Sequence, residues 1–118
     1  MSGAIPTIAE AARLIAAKEL SPLELTRACL ERVHKLDGQL HAFVHLTEER
    51  ALAEARAAEA AIMARGAKGP LHGIPIGLKD IVDTKGIPTT CQSKNCCRTI
   101  SPTPTRPAPR SSPPPARC

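Results

Sequence analysis

Lys79 closes the run Ile74-Pro75-Ile76-Gly77-Leu78-Lys79, an alternation that can present an amine for chemistry. A period of two places Ile74, Ile76 and Leu78 on one face of a strand, with Pro75, Gly77 and Lys79 on the other. The lysine then projects beside a residue without a side chain, so a substrate or another backbone can approach it closely, while the apolar face anchors the strand in a core. In partly desolvated surroundings a lysine amine gives up its proton more readily than a free one and can act as a general base. The same spacing also fits an exposed strand-end lysine with no chemical role.

The other reactive side chains combine less well. His41 and His45 lie on one strand face but too far apart to share a metal easily, and neither they nor His34 and His72 have an acidic third ligand beside them. Of five cysteines, Cys29 falls in a helical pattern, Cys91 in a loop, and Cys96, Cys97 and Cys118 in the tail. The odd count and the lack of C-x-x-C spacing point to reduced thiols rather than a disulfide framework or a zinc site. No metal and no cofactor are expected.

The elements that must position Lys79 are legible upstream of it. Thr7, with Glu10 three residues later, opens a helical series Ile8, Ala11, Ala12, Ile15 that runs to about Glu19. Ser21-Pro22-Leu23-Glu24 opens a second helix: the serine caps, and the proline needs no donor at the first helical position. Its apolar face is Leu25, Cys29, Val33 and Leu36, and Asp37-Gly38 is expected to end it. His41 to Leu46 alternates as a short strand. Thr47 to Arg65, rich in Ala, Glu and Arg with Leu52 and Ile62 on one face, is a third helix closed by Gly66. Ile74 to Leu78 is the second strand, followed by a turn at Gly86-Ile87-Pro88.

Helix, helix, strand, helix, strand is the order of an α/β protein whose mixed sheet is incomplete, most strand partners having to come from further along a chain. One small domain fits in 118 residues, with a core of aliphatic side chains and Phe43 as its only aromatic residue. The formal charge of +5 would suit an acidic partner, yet four arginines, Arg98, Arg106, Arg110 and Arg117, follow Lys94 with no acid among them. Without those four, 12 basic residues face 11 acidic ones, so neither a nucleic-acid nor a membrane partner is expected of the body. No basic region leads into an apolar run at Met1-Ser2-Gly3-Ala4, which points to a cytoplasmic location.

The run Gly69-Pro70-Leu71-His72-Gly73-Ile74-Pro75-Ile76-Gly77-Leu78-Lys79-Asp80, continued by Asp83-Thr84-Lys85-Gly86-Ile87-Pro88-Thr89-Thr90, closely resembles the amidase-signature family. Thr7 to Glu10, Glu19 to Thr26 and Leu40 to Val44 also look like that family's opening helices and first strand, so the resemblance covers residues 7–94. It implies the start of an amidase-signature mixed-sheet fold over residues 1–94, and a catalytic role for Lys79. In the family the matching lysine is the base of a serine, cis-serine, lysine triad that cleaves small-molecule amides through an acyl-enzyme. Both serines follow the lysine in a glycine-rich stretch. Ser93, Ser101, Ser111 and Ser112 have no such glycines beside them. The chain is therefore expected to be a truncated amidase, inactive by itself.

After Lys94 the composition turns to Cys, Arg, Ser, Thr and seven prolines, as in a disordered or interaction tail over residues 95–118. The genetic code suggests a second origin for it. Joining the third base of each codon to the next two turns Asn95-Cys96-Cys97 into Leu-Leu whichever synonymous codons are used. With GC-rich codons, the residues to Pro107 become Pro-Asp-His-Ile-Pro-Asp-Ala-Asp-Ala-Ala, which resembles the continuation of the T-T-C-x-S-K segment in amidases. A frameshift after Lys94 is the expectation. Two other functions remain open: a fragment of the A subunit of a tRNA-dependent amidotransferase, which shares the lysine segment, and a non-enzymatic interaction protein using Pro104-Thr105-Arg106-Pro107.

Overall fold

The structure is a computed structural model that describes residues 5–93 together with the backbone of Arg98 and Thr99. It contains three helices, α1 (Ile8–Ala16), α2 (Pro22–Leu40) and α3 (Glu48–Arg65), and a two-residue antiparallel ladder of β1 (Pro88–Thr89) with β2 (Arg98–Thr99). Helices followed by the beginnings of strands make this a partial α/β fold. The chain divides into two compact units, Met1–Leu78 and Lys79–Cys118.

Both N-terminal caps form as the sequence specifies. The Thr7 hydroxyl accepts from the Glu10 N–H at 3.3 Å, and the Ser21 hydroxyl accepts from Leu23 and Glu24 at 3.0 and 3.3 Å, with Pro22 at the first helical position. Helix α1 stops at Ala16, three residues short of expectation. Lys18 takes a left-handed φ of 61°, and the Glu19 and Lys18 N–H groups donate back to the carbonyls of Leu14 and Ile15. This satisfies carbonyls at the helix end with a lysine where glycine is usual.

Helix α2 runs through Gly38 to Leu40 instead of ending at it. The left-handed residue is His41, at φ 49°, and the Asp37 carboxylate accepts from the N–H groups of Ala42 and Phe43 at 2.7 and 3.2 Å. A carboxylate that collects the departing backbone thus outweighs the roughly 1 kcal/mol cost of a glycine inside a helix. Helix α3 closes at Gly66, as expected, with φ 80°.

Helices α2 and α3 pack together, tied at the start of α2 by the Ser21 hydroxyl donating to Glu59 at 2.5 Å and near its end by His34 against Glu48 at 2.8 Å. The second pair is exposed, and such pairs contribute about 0–1 kcal/mol. The core proper is aliphatic, formed by Ala11, Ile15, Leu20, Leu25 and Ile62. Each large side chain buried there contributes on the order of 1.5–3 kcal/mol. Thr26 is also buried, and its hydroxyl donates to the Pro22 carbonyl at 2.8 Å, so no lone donor is left in the core. Towards the C-terminal half of α2 the apolar face opens into a groove of about 290 Å³ lined by Cys29, Val33, Leu36, Leu40 and Phe43. Burial pushes the Cys29 thiol up, with the Arg32 charge opposing that shift.

Neither expected strand is present. His41 to Leu46 and Ile74 to Leu78 belong to no ladder among the described residues. Alternating side chains mark a strand only when another strand takes up the backbone hydrogen bonds. Phe43 accordingly remains 43% exposed, and the core has no aromatic member.

Candidate active site

The lysine-bearing run is fixed at its N-terminal end by two successive turns. The Gly69 carbonyl accepts from the His72 N–H and the Leu71 carbonyl from the Ile74 N–H, each at 3.1 Å, while Nδ1 of His72 accepts from the Lys68 N–H at 3.1 Å. Gly73 sits at φ +87°, and a Cβ there would lie 2.7 Å from Cγ of Pro22 and 3.3 Å from Cδ1 of Ile62. Only a glycine supplies both this conformation and this closeness. The proline that starts α2 is therefore also the surface on which the lysine run is seated. Ile74, next in line, packs against the aliphatic core.

Beyond Ile74 the anchoring stops. Ile76 is 72% exposed and Leu78 57% exposed, so the expected buried face is present at Ile74 alone. Among the described residues no strand lies beside the run to cover the other two side chains. At Gly77 a Cβ would meet nothing within 4 Å, which leaves open the space that the alternation requires beside the lysine run. Lys79 itself is exposed. The partly desolvated surroundings expected of a base are not supplied by the described residues.

The segment after Lys79 is organised by a residue with no role expected from the sequence. The Asp80 carboxylate accepts from the Thr90 N–H at 2.8 Å, from the Thr90 hydroxyl, and from the Gln92 N–H at 3.4 Å, while the Asp80 carbonyl accepts from the Cys91 N–H at 3.0 Å. The Thr90 hydroxyl, then its N–H, and to a smaller extent the N–H groups of Gln92 and Cys91, hold the Asp80 carboxyl below the usual carboxylate range. Between these ends the chain reverses through a turn in which Ile87 N–H donates to the Thr84 carbonyl at 3.1 Å, with Gly86 at φ 78°. The Lys79 carbonyl accepts from the Val82 N–H at 3.0 Å. The partners are ten and twelve residues apart, so no local motif announces the arrangement.

The remaining candidates do not converge. His34 faces Glu48, His41 caps α2, and His72 serves the turn before Gly73. Among the described residues no group of three or more His, Cys, Asp or Glu side chains is placed to hold a metal ion, and no helix is long and apolar enough to cross a membrane. Cys96, Cys97, Cys118, Ser101, Ser111, Ser112 and the P-x-x-P stretch lie outside the described residues.

A family model described as Amidase matches residues 24–105. The chain is 49% identical over 88 residues to the A subunit of the glutamyl-tRNA(Gln) amidotransferase of Chloroflexus aggregans, covering 75% of this chain and 18% of that protein. Its counterparts in Acidothermus cellulolyticus, at 47% over 88 residues, and Nocardia farcinica, at 48% over 89 residues, again cover 75% of this chain, and 17% and 18% of theirs. The chain thus spans less than a fifth of the length of these relatives. No solved structure matches at a significant level.

Proposed function

The chain belongs to the amidase family, and on that premise we propose that it carries the base of an amide-cleaving centre, Lys79, on the N-terminal part of the enzyme fold. The observation that carries this reading is the run from Gly69 to Lys79, seated at Gly73 and Ile74 and ending on an exposed lysine. In the intact parent, the amine of Lys79 takes the proton of a bridging serine. That serine draws the proton from the nucleophilic serine, whose oxygen attacks the amide carbonyl. The C–N bond breaks, the proton goes to the departing nitrogen, ammonia leaves, and water releases the carboxylate from the acyl-enzyme. Backbone N–H groups of a glycine-rich stretch would hold the oxyanion.

The 118 residues contain no glycine-flanked serine pair. We infer that a one-base shift after Lys94 replaces the enzyme's continuation with the Pro- and Arg-rich residues of the tail. A base without a nucleophile has nothing to activate, so the 118-residue chain is expected to leave carboxamides untouched. The product of the frame-restored gene is expected to release ammonia from a small carboxamide. Ammonia release by the 118-residue chain, lost in Lys79→Ala, contradicts the first expectation, and failure of the restored product on glutamine and small carboxamides alike contradicts the second.

A second reading is favoured by the names of the relatives: the parent would be the A subunit of a glutamyl-tRNA(Gln) amidotransferase. Leu71-His72-Gly73 and Gly77 look more like stand-alone amidases. Lys79 has the same task in both readings. They separate on whether a glutamyl-tRNA-binding companion subunit is encoded beside the gene and is required for turnover.

A further inference from the structure

We propose that Asp80 is a positioning residue for Lys79, its carboxylate clamping the backbone of Thr90 to Gln92 onto the peptide that follows the lysine. The role rests on Lys79 being the base, since a positioned amine matters only if it moves a proton.

The geometry carries the inference at three points. Asp80 receives three hydrogen bonds on its carboxylate, from the N–H and hydroxyl of Thr90 and the N–H of Gln92, and one on its carbonyl from Cys91. One residue earlier, the Lys79 carbonyl is taken by the Val82 N–H. The atoms on both sides of the Lys79–Asp80 peptide are therefore tied into one loop that returns ten residues later, and the backbone from which the amine extends is held without any contact to the amine itself. Catalysis tolerates little freedom there: a general base must stay within hydrogen-bond reach of its proton, about 2.6–3.2 Å between heavy atoms. Hydrogen bonds to an ionised acceptor are roughly twice as strong as neutral ones, which suits a carboxylate to gathering backbone donors.

The lowered pKa of Asp80, caused first by the Thr90 hydroxyl, gives the clamp a pH signature. A carboxyl whose folded pKa lies below its unfolded value, ~3.9, stabilises the loop fully above that value and loses the contribution as pH falls through the folded pKa. Lys79, Asp83, Lys85 and Cys91 are the other titratable groups of the segment. Asp83 is a second carboxylate of the segment, so the signature must be tested against an Asp80 variant.

Amide hydrogen exchange on the 118-residue chain tests the proposal. Asp80→Asn, which loses the charge and one acceptor oxygen, should speed exchange at Thr90, Gln92 and Val82 by roughly tenfold or more, as expected for losing a charge-assisted bond. Thr90→Ser, which keeps the hydroxyl, should stay near the parent chain. Amides of Ile15 and Ile62 should be unaffected in both. In the parent chain the protection of Thr90 and Val82 should fall as pH drops below about 3.9, and in Asp80→Asn it should show no such fall. Lys79→Ala should leave all of these rates unchanged, so failure of the base reading, seen in the kinetics of the restored enzyme, is distinguishable from failure of the clamp. The proposal is overturned if Val82 keeps its protection in Asp80→Asn, if Ile15 and Ile62 lose theirs with it, or if Thr90 is unprotected in the parent chain.

Discussion

Lys79 is exposed and the groups that would surround it are not among the described residues, so its role has to be tested by substitution in a restored enzyme. General acid-base catalysis contributes roughly 100- to 10,000-fold, and Lys79→Ala should lower kcat by about that much. Lys79→Arg should fare no better. A guanidinium keeps the charge and most of the length, but it cannot be deprotonated and so cannot accept the serine's proton. Steady-state kinetics on the two variants check this, and an arginine variant that retains most of the activity would mean that Lys79 acts through its charge. Lys79 stood out in the sequence through the resemblance of its run to the lysine segment of the amidase family, because spacing alone also fits an exposed strand-end lysine. The hydrogen bonds of Asp80 were not legible, because its partners Thr90 and Gln92 are too distant for any turn pattern.

At the scale of elements, the caps were legible and the ends less so. Thr7 and Ser21 act on amides two or three residues away, so residue type and spacing are enough to specify them. The end of α2 was misplaced at Gly38 because glycine ends helices so often, whereas here Asp37 captures Ala42 and Phe43 and moves the left-handed position to His41. The strands at His41–Leu46 and Ile74–Leu78 were read from alternation, which reports what a face could bury and not whether anything lies against it. Gly73, with Ile74 after it, seats the run on the helices. Gly73→Ala would force a side chain into Pro22 at a positive φ and should destabilise the helical unit by roughly 1–3 kcal/mol. Gly77→Ala, where space is open, should change stability by less than about 0.5 kcal/mol. Urea denaturation followed by circular dichroism compares the pair, and equal effects would show that the run is not seated on α2 and α3.

For the whole molecule, the family was legible from residues 69–90 alone, because a long string of glycines, prolines and a Lys-Asp pair at fixed spacing is far more specific than any composition. Composition changes at Lys94, while the ladder to Arg98–Thr99 and the family match to residue 105 continue past it. Ile76, Leu78, Ile81 and Val82 all carry exposed apolar side chains. Apolar side chains gain from burial only when a partner surface is supplied. The nucleotide sequence across Ser93 to Arg98 and about a kilobase beyond is the most direct test that these residues begin an amide-cleaving enzyme. A one-base shift should open a frame that reads Leu-Leu after Lys94 and continues into a glycine- and serine-rich segment, and downstream DNA open in neither frame would contradict that account.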